Sequence, residues 1–188
     1  MAGYGLKWPR FAPNKTVAED GTITYDTPVT IGEAVKADLT ISKAAGKIYG
    51  NNALSEATSD FISGTIAMET VDLTDDVASV IFGATVKENT CVYNVNDNPP
   101  EGALAYLKTL LRKGKTVYKP YFFPRAKAEM GNDTAATKGE SVTFSTAATT
   151  WTIMAPASGN WFETTECDTE EEARAWIDEM MGVPKVGV

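Results

Sequence analysis

The sequence predicts a mainly β protein, a β-sandwich or partly closed barrel with one short flanking α-helix at about 74–82 and a C-terminal helix at about 169–181. Three observations carry this. In Ser59–Gly83, SDFISGTIAMETVDLTDDVASVIFG, Ile62, Ile66 and Met68 fall with Gly64 on one side of a period-two ladder. Ser63, Thr65 and Glu69 fall on the other, so one face of this strand is buried. The same stretch then enters a helix without a spacer. Thr74 is its expected N-cap, with a hydroxyl placed to accept from the amides of the next turn, and Asp75 and Asp76 stand at the positive end of the helix dipole. Val77, Val80 and Ile81 form an apolar stripe that must lie on the sheet, and Gly83 closes the helix. The third observation is the C-terminal stretch. Thr169 and Glu172 make a capping box, Ala173, Trp176, Ile177 and Met180 recur at helical spacing, and Gly182 and Pro184 stop the helix.

The other elements follow in order. Residues 1–21 mix Gly, Pro, Asn and Lys with isolated aromatics, Tyr4, Trp8 and Phe11, and read as an extended N-terminal arm. Residues 22–188 read as a single β-sandwich domain. Thr22–Ile31 and Glu33–Ser42 alternate and give two strands. Residues 43–58, KAAGKIYGNNALSEAT, hold no sustained period and read as a long loop, a length uncommon in compact domains unless the loop has a task. Thr85–Val95 gives another strand, ended by the turn-rich NDNPPEG. Ala103–Arg112 and Lys115–Pro124 flank Lys113-Gly114, a hairpin signal, and Pro120 and Pro124 make the second arm an edge strand or a bulged one. A Gly/Asn/Thr-rich loop spans Met130–Lys138. Val142, Phe144, Trp151 and Ile153 then mark one strand, or two with a bend at Thr146–Thr149, and a short strand WFETTE follows the turn at Gly159-Asn160.

With 188 residues the chain can bury roughly 70% of its extended surface. Its 43% hydrophobic and 22% charged residues exclude wholesale disorder and fibrous repeats. Seventeen Lys and Arg against 25 Asp and Glu give a net charge of −8, the opposite of a surface built to grip phosphates. Apolar runs are too short to span a membrane, so no membrane partner is expected. The N-terminal MAGYGLKWPRF lacks a signal-peptide core, so export by that route is not expected. Cys91 and Cys167 are too few for a disulfide scaffold and read as free thiols of a reducing cytoplasm.

His is absent, which removes the commonest general base and metal ligand. Gly114-Lys115-Thr116 resembles the end of a phosphate-binding loop, but Thr109 stands where the first glycine is needed, and the hairpin turn explains the glycine. Asn94, Asn96 and Asn98 have the spacing of calcium ligands, but Pro99 occupies the position where that loop needs Gly, so turn chemistry is the reading. Asp75 and Asp76 point apart on a helix, and the acidic run Glu166 to Glu172 sits at a helix start, where charge–dipole attraction suffices. Neither cysteine has a CxxC partner. No catalytic, cofactor-binding or metal-binding residues are expected.

Several segments taken in order resemble the major tail proteins that build the tail tube of long-tailed, non-contractile bacteriophages: GLKWPRFAP at 5–13, GTITY at 21–25, IGEAVKADLTIS at 31–42, KIYGNNALSE at 47–56, FISGTIAMETVDLTDDVASVIFG at 61–83, GKTVYKPYFFPRAKAE at 114–129, TKGESVTFSTAATTWTIMA at 137–155 and GNWFETTECDTEEEARAWID at 159–178. The order and spacing carry the resemblance, not any one motif. Lys87–Pro100 is the least similar part.

The resemblance implies a β-sandwich of tail-tube type, and a structural virion protein that assembles as hexameric rings stacked into a hollow tube through which DNA passes into the host. Partners would be copies of itself and the tail tip, tape-measure and tail terminator proteins, with DNA in transit but not tightly bound. Six copies at −8 carry −48, which would repel DNA from the wall. The protein would be found in the virion tail, and in the host cytoplasm during assembly. The loop 43–58 and the arm would reach neighbouring subunits, with Trp8, Phe11, Tyr49 and Leu54 as apolar anchors; the alternative for these four is packing within the chain. The rival reading is a monomeric immunoglobulin-like binding module on a virion or cell surface, which would need neither loop nor arm.

Overall fold

The computed structural model describes residues 2–50, 53–88, 90–132 and 145–184. In chain order these form β1 (Ala2–Val17), β2 (Ile23–Tyr25), β3 (Val29–Thr30), β4 (Ala34–Gly50), β5 (Ala53–Thr70), α1 (Asp75–Phe82), β6 (Thr85–Lys87), β7 (Thr90–Val92), β8 (Glu101–Arg112), β9 (Lys115–Met130), β10 (Ala147–Ile153), β11 (Glu163–Thr164) and α2 (Glu170–Met180). The protein is mainly β, as expected. Nine strands join in one antiparallel sheet of order β2-β1-β8-β9-β10-β5-β4, with β3 added to β1 and β11 added to β9, while β6 and β7 pair separately.

Strand β1 replaces the expected arm. It pairs with β8 from Ala2↔Leu111 to Pro13↔Gly102, and Phe11 and Ala12 are fully buried. What hides it in the sequence is a bulge. Between Lys7↔Leu107 and Arg10↔Ala105 the register slips at Trp8 and Pro9, where Trp8 takes φ 55°, and this breaks the period-two pattern. The Pro9 carbonyl accepts from the Ile31 amide, so the bulge is tied to the start of the next segment.

The sheet is curled without closing into a barrel. Phe11 on β1 and Trp151 on β10 belong to strands separated in the sheet by β8 and β9, about 14 Å apart in a flat sheet. Their rings nevertheless meet at 5.1 Å. Ile66, Met68, Leu104, Tyr106, Phe123 and Ile153 complete this core, and α1 inserts Ala78, Ile81 and Phe82 into it. Thr74 is the N-cap position of α1, but its hydroxyl makes no capping bond, and only its carbonyl accepts, from the Ala78 amide. Gly83 ends the helix in the left-handed conformation.

On the other face of β8–β9, α2 lays Ile177 over a floor of Ala12, Ala103, Ala105 and Phe122, and Met181 just past its end joins it. Three alanines in that floor let the helix backbone come close. Its expected capping box is present, Thr169 accepting from the Glu172 amide and Glu172 from the Thr169 amide. Because cores lie on both faces, β8 is buried nearly end to end. The β8–β9 turn is Lys113-Gly114 with φ 48° and 81°, the left-handed pair that suits a two-residue hairpin. The bulge expected from the prolines lies where Gly102↔Ala126 passes to Leu104↔Phe123, beside Pro124.

Other expectations are corrected. Thr22–Ile31 is two short strands, and Thr85–Val95 is the β6–β7 pair and not a single strand. Ile62 does not join Ile66 and Met68: the register passes from Ser42↔Ser63 to Lys43↔Phe61, so Ile62 bulges out and is 57% exposed, while Phe61 takes the inward place. Val142 and Phe144 lie outside the described residues; Trp151 and Ile153 are buried in β10 as expected.

Gly102 faces the Ala12 carbonyl oxygen and the Phe11 ring, with no room for a Cβ. Gly102→Ala is expected to lower stability by about 1–3 kcal/mol through overpacking, and Ile66→Ala by about 2–5 kcal/mol through a cavity, both read from urea unfolding midpoints.

Candidate assembly surfaces

Four apolar residues were expected as contact anchors. Phe11 is consumed by the core, which corrects that expectation, because a side chain with no exposed area offers a partner nothing. Trp8 is half-buried and also engaged within the chain. Its ring lies 4.6 Å from the Arg10 guanidinium and 5.0 Å from that of Arg174, and it packs on the floor beneath α2. Tyr49 and Leu54 are register partners near the end of the β4–β5 hairpin, and their side chains lie outside the described residues.

Around Trp8 an ionic tie joins β1 to α2. Lys7 Nζ donates to Glu170 Oε2 at 2.8 Å, Arg174 donates to Glu170 Oε1 at 2.6 Å, and Arg10 donates to Asp178 at 3.0 Å. The hydrogen bonds from Lys7 and then Arg174 hold the Glu170 carboxyl below its ordinary range, and the bond to Glu170 raises Lys7.

The segment 43–58 was expected to be a loop, and the structure corrects this: outside residues 51–52 it is a β-ribbon, the outer part of the β4–β5 hairpin, paired from Lys43↔Phe61 to Gly50↔Ala53. Among the described residues no helix or other strand covers it, and Lys43 to Ile48 and Glu56 to Asp60 are all exposed. Ile48 is 64% exposed. At its root, Phe61 stacks on Trp161 at 4.2 Å, and Trp161, Phe162, Tyr121 and Tyr106 continue the ring contacts into the β8–β9 hairpin. The inward residues of the β4–β5 base are Ala37, Leu39, Ile66 and Met68. The opposite face there carries Lys36, Asp38, Thr40, Thr65 and Ala67 in the open, and Lys36 pairs with Asp38 at 2.6 Å.

A second opening lies beside α1, lined by Asp72, Leu73, Phe82, Tyr93, Met130 and Ala148. Burial, with a hydrogen bond to Cys91, pushes the Tyr93 phenol up to about 12, so it stays neutral. Both cysteines are free thiols, and burial pushes Cys167 up, away from the thiolate a nucleophile needs. The Asn94 side chain accepts from the Asn96 amide and Asp97 from the Asn94 amide, the turn chemistry read from the sequence. Among the described residues no group of His, Cys, Asp and Glu is arranged to hold a metal, and no helix is long and apolar enough to cross a membrane.

The features that distinguish this surface are an uncovered ribbon and a long open strand, with no group of reacting side chains described at either. The phage tail tube protein family model matches residues 13–179, from the last third of β1 to the last turn of α2. The chain belongs to the phage tail tube protein family. It is a structural protein of the phage tail and not an enzyme, and self-assembly into the tail follows from that membership. No curated protein matches it.

Sequence reasoning singled out 43–58 as a segment with a task but missed its strand character. It also missed the division of charge between its faces, because that division exists only once the register is known. As for the ionic tie, Glu170 has a depressed folded-state value. Its contribution is therefore complete above the unfolded carboxyl range, about 4.3, and is lost as pH falls through the folded value. Glu170→Gln is expected to cost under about 1 kcal/mol at pH 7 and to flatten the loss of stability between pH 5 and 3, read from melting temperatures of both proteins across that range.

Proposed function

We propose that this tail tube protein assembles into hexameric rings that stack into a hollow tube, polymerising on a preformed tail tip and around a length-setting tape-measure protein until a terminator caps it. On this reading the finished tube conducts DNA into the host, and assembly takes place in the host cytoplasm. The observation that carries the reading is the ribbon. A two-stranded hairpin with both faces in water is marginal by itself, and this one is held out from the body by a stacked aromatic root. Such an element has a use where a neighbour covers it. Tyr49 and Leu54, near its end, are the apolar residues we assign to that contact. Trp8 and Phe11 are withdrawn from it, since their packing is within the chain.

Two further features support the reading. Among the described residues, strand β4 ends the sheet and leaves one side of a 17-residue strand unpaired, a liability in a monomer that a ring of neighbours removes by continuing the sheet. The open face of β10, β5 and β4 carries Thr40, Thr65, Thr150 and Thr152 with Asp38, Glu69 and Lys36, the lysine paired with Asp38, and among the described residues no helix packs on it. A wall of hydroxyls on which carboxylates outnumber the one lysine, itself paired, would let DNA slide without holding it.

Deleting residues 43–58 tests the reading. Because the described side chains of this segment, Lys43 to Ile48 and Glu56 to Thr58, are exposed, the variant is expected to fold, with an unfolding midpoint within about 1 kcal/mol of wild type, and to stay monomeric where wild type forms rings or tubes. Light scattering over a concentration series and negative-stain electron microscopy make the comparison. Tubes formed by the deletion variant would overturn the role given to the ribbon.

A further inference from the structure

The ribbon is electrically two-faced. The register places Lys43, Ala45 and Lys47 of β4 with Ala57, Ser59 and Phe61 of β5 on the side that continues the core face, and Ala44, Gly46 and Ile48 with Glu56, Thr58 and Asp60 on the other. One face therefore holds two lysines and no acid, and the other holds two acids and no base. Among the described residues no ion pair joins the two sets. The two lysines are four residues apart on β4 and the two acids four apart on β5, so each pair spans about 13 Å along the ribbon. Lys43 and Asp60 lie at the root, Lys47 and Glu56 toward the end. The residues between the charges are small on both sides: Ala45, Ala57 and Ser59 on the basic face, Ala44, Gly46 and Thr58 on the acidic one. Gly46 in particular faces Thr58 Oγ1 with only 3.0 Å for a Cβ.

We infer that the basic face of one ribbon docks on the acidic face of the ribbon of a second copy of this chain, root to root and end to end. Lys43 then meets Asp60 and Lys47 meets Glu56 of the second copy, while the exposed Ile48 settles over the small residues Ala45 and Ala57. The proposal rests on the assembly reading above and names the partner of its ribbon. The contact is heterologous, since each ribbon offers one face to one neighbour and the other face to the next, and so it propagates through a ring or along a stack. Equal spacing of the opposite charges sets the alignment, and like charges brought together by any other stacking oppose it.

Four proteins test it. Lys43→Glu with Lys47→Glu makes both faces acidic, Glu56→Lys with Asp60→Lys makes both basic, and the four changes together exchange the faces. The fourth protein is wild type, and all positions are exposed, so circular dichroism and melting temperature are expected to match. The expected result is that each double variant alone needs at least about tenfold more protein than wild type to form particles, that a mixture of the two doubles assembles, and that the fourfold exchange assembles like wild type. Raising salt from 50 to 500 mM should weaken wild-type assembly, because the screening length of exposed charges falls from about 14 Å to about 4 Å across that range. If the doubles fail and the fourfold exchange also fails, the charges face some other surface and the ribbon-on-ribbon contact is overturned. Doubles that assemble normally overturn it as well, while leaving the tube reading intact. Wild-type protein that forms no particle at any concentration or with a tail-tip initiator would overturn the assembly reading and this proposal together.

Discussion

The contact of Phe11 with Trp151 sets the shape on which the other features depend. Two strands that the hydrogen-bond ladder keeps apart are brought ring to ring, and the sheet must curl to permit it. Curling makes an inside, where the large apolar residues of β5, β8, β9 and β10 collect and which α1 plugs at its edge. It also exposes the outer face of β8–β9, which needs a second cover and receives α2. The chain's two ends are then fastened to each other. Strand β1 is held in the sheet by β8 and over the sheet by α2, through the Trp8 ring between two guanidiniums and the Lys7–Glu170–Arg174 chain of charges. In such exposed pairs the ions contribute little each, and the burial of Phe11 and Ala12 contributes far more.

What the sequence made legible follows the same logic. Both helices, the capping box at Thr169 and the turn at Lys113-Gly114 were readable because their signals are local: a side chain satisfies an amide three residues on, or a glycine takes a left-handed angle. Strand β1 was not readable, because the bulge at Trp8 and Pro9 puts its two halves out of phase. The ribbon was not readable for the opposite reason. Apolar alternation marks a strand only where one face is buried, and among the described residues here neither is, so 43–58 has the composition of a loop and, outside residues 51–52, the hydrogen bonding of a hairpin. Thr74 was placed correctly at the cap while the bond expected of it is absent. Of the anchors, Phe11 and Trp8 were recognised as residues that must bury, but their sequence spacing could not tell a neighbouring strand from a neighbouring molecule.

The division of labour between the parts of the surface is also physical. The curled body covers its own apolar side chains, with its aromatic residues interlocked from Phe61 to Tyr106. Strand β4 and the ribbon do not, for the free edge of one and both faces of the other are open. A subunit that must stay apart from its copies until a template is present gains from keeping its unsatisfied groups on a polar, charged extension, where water serves them well enough in the interim, and not on an apolar patch that would associate at once.

The bulge at Ile62 has a consequence for the whole outer hairpin. Had Ile62 paired regularly with Lys43, every residue of β5 from Phe61 outward would turn over. Asp60 and Glu56 would join Lys43 and Lys47, the hairpin would cancel its own charge, and Phe61 would swing away from Trp161. That stack, with planes 6° apart, is therefore a register pin. By holding a single ring flat against its neighbour, it decides the sign of the field that two faces present farther along the ribbon.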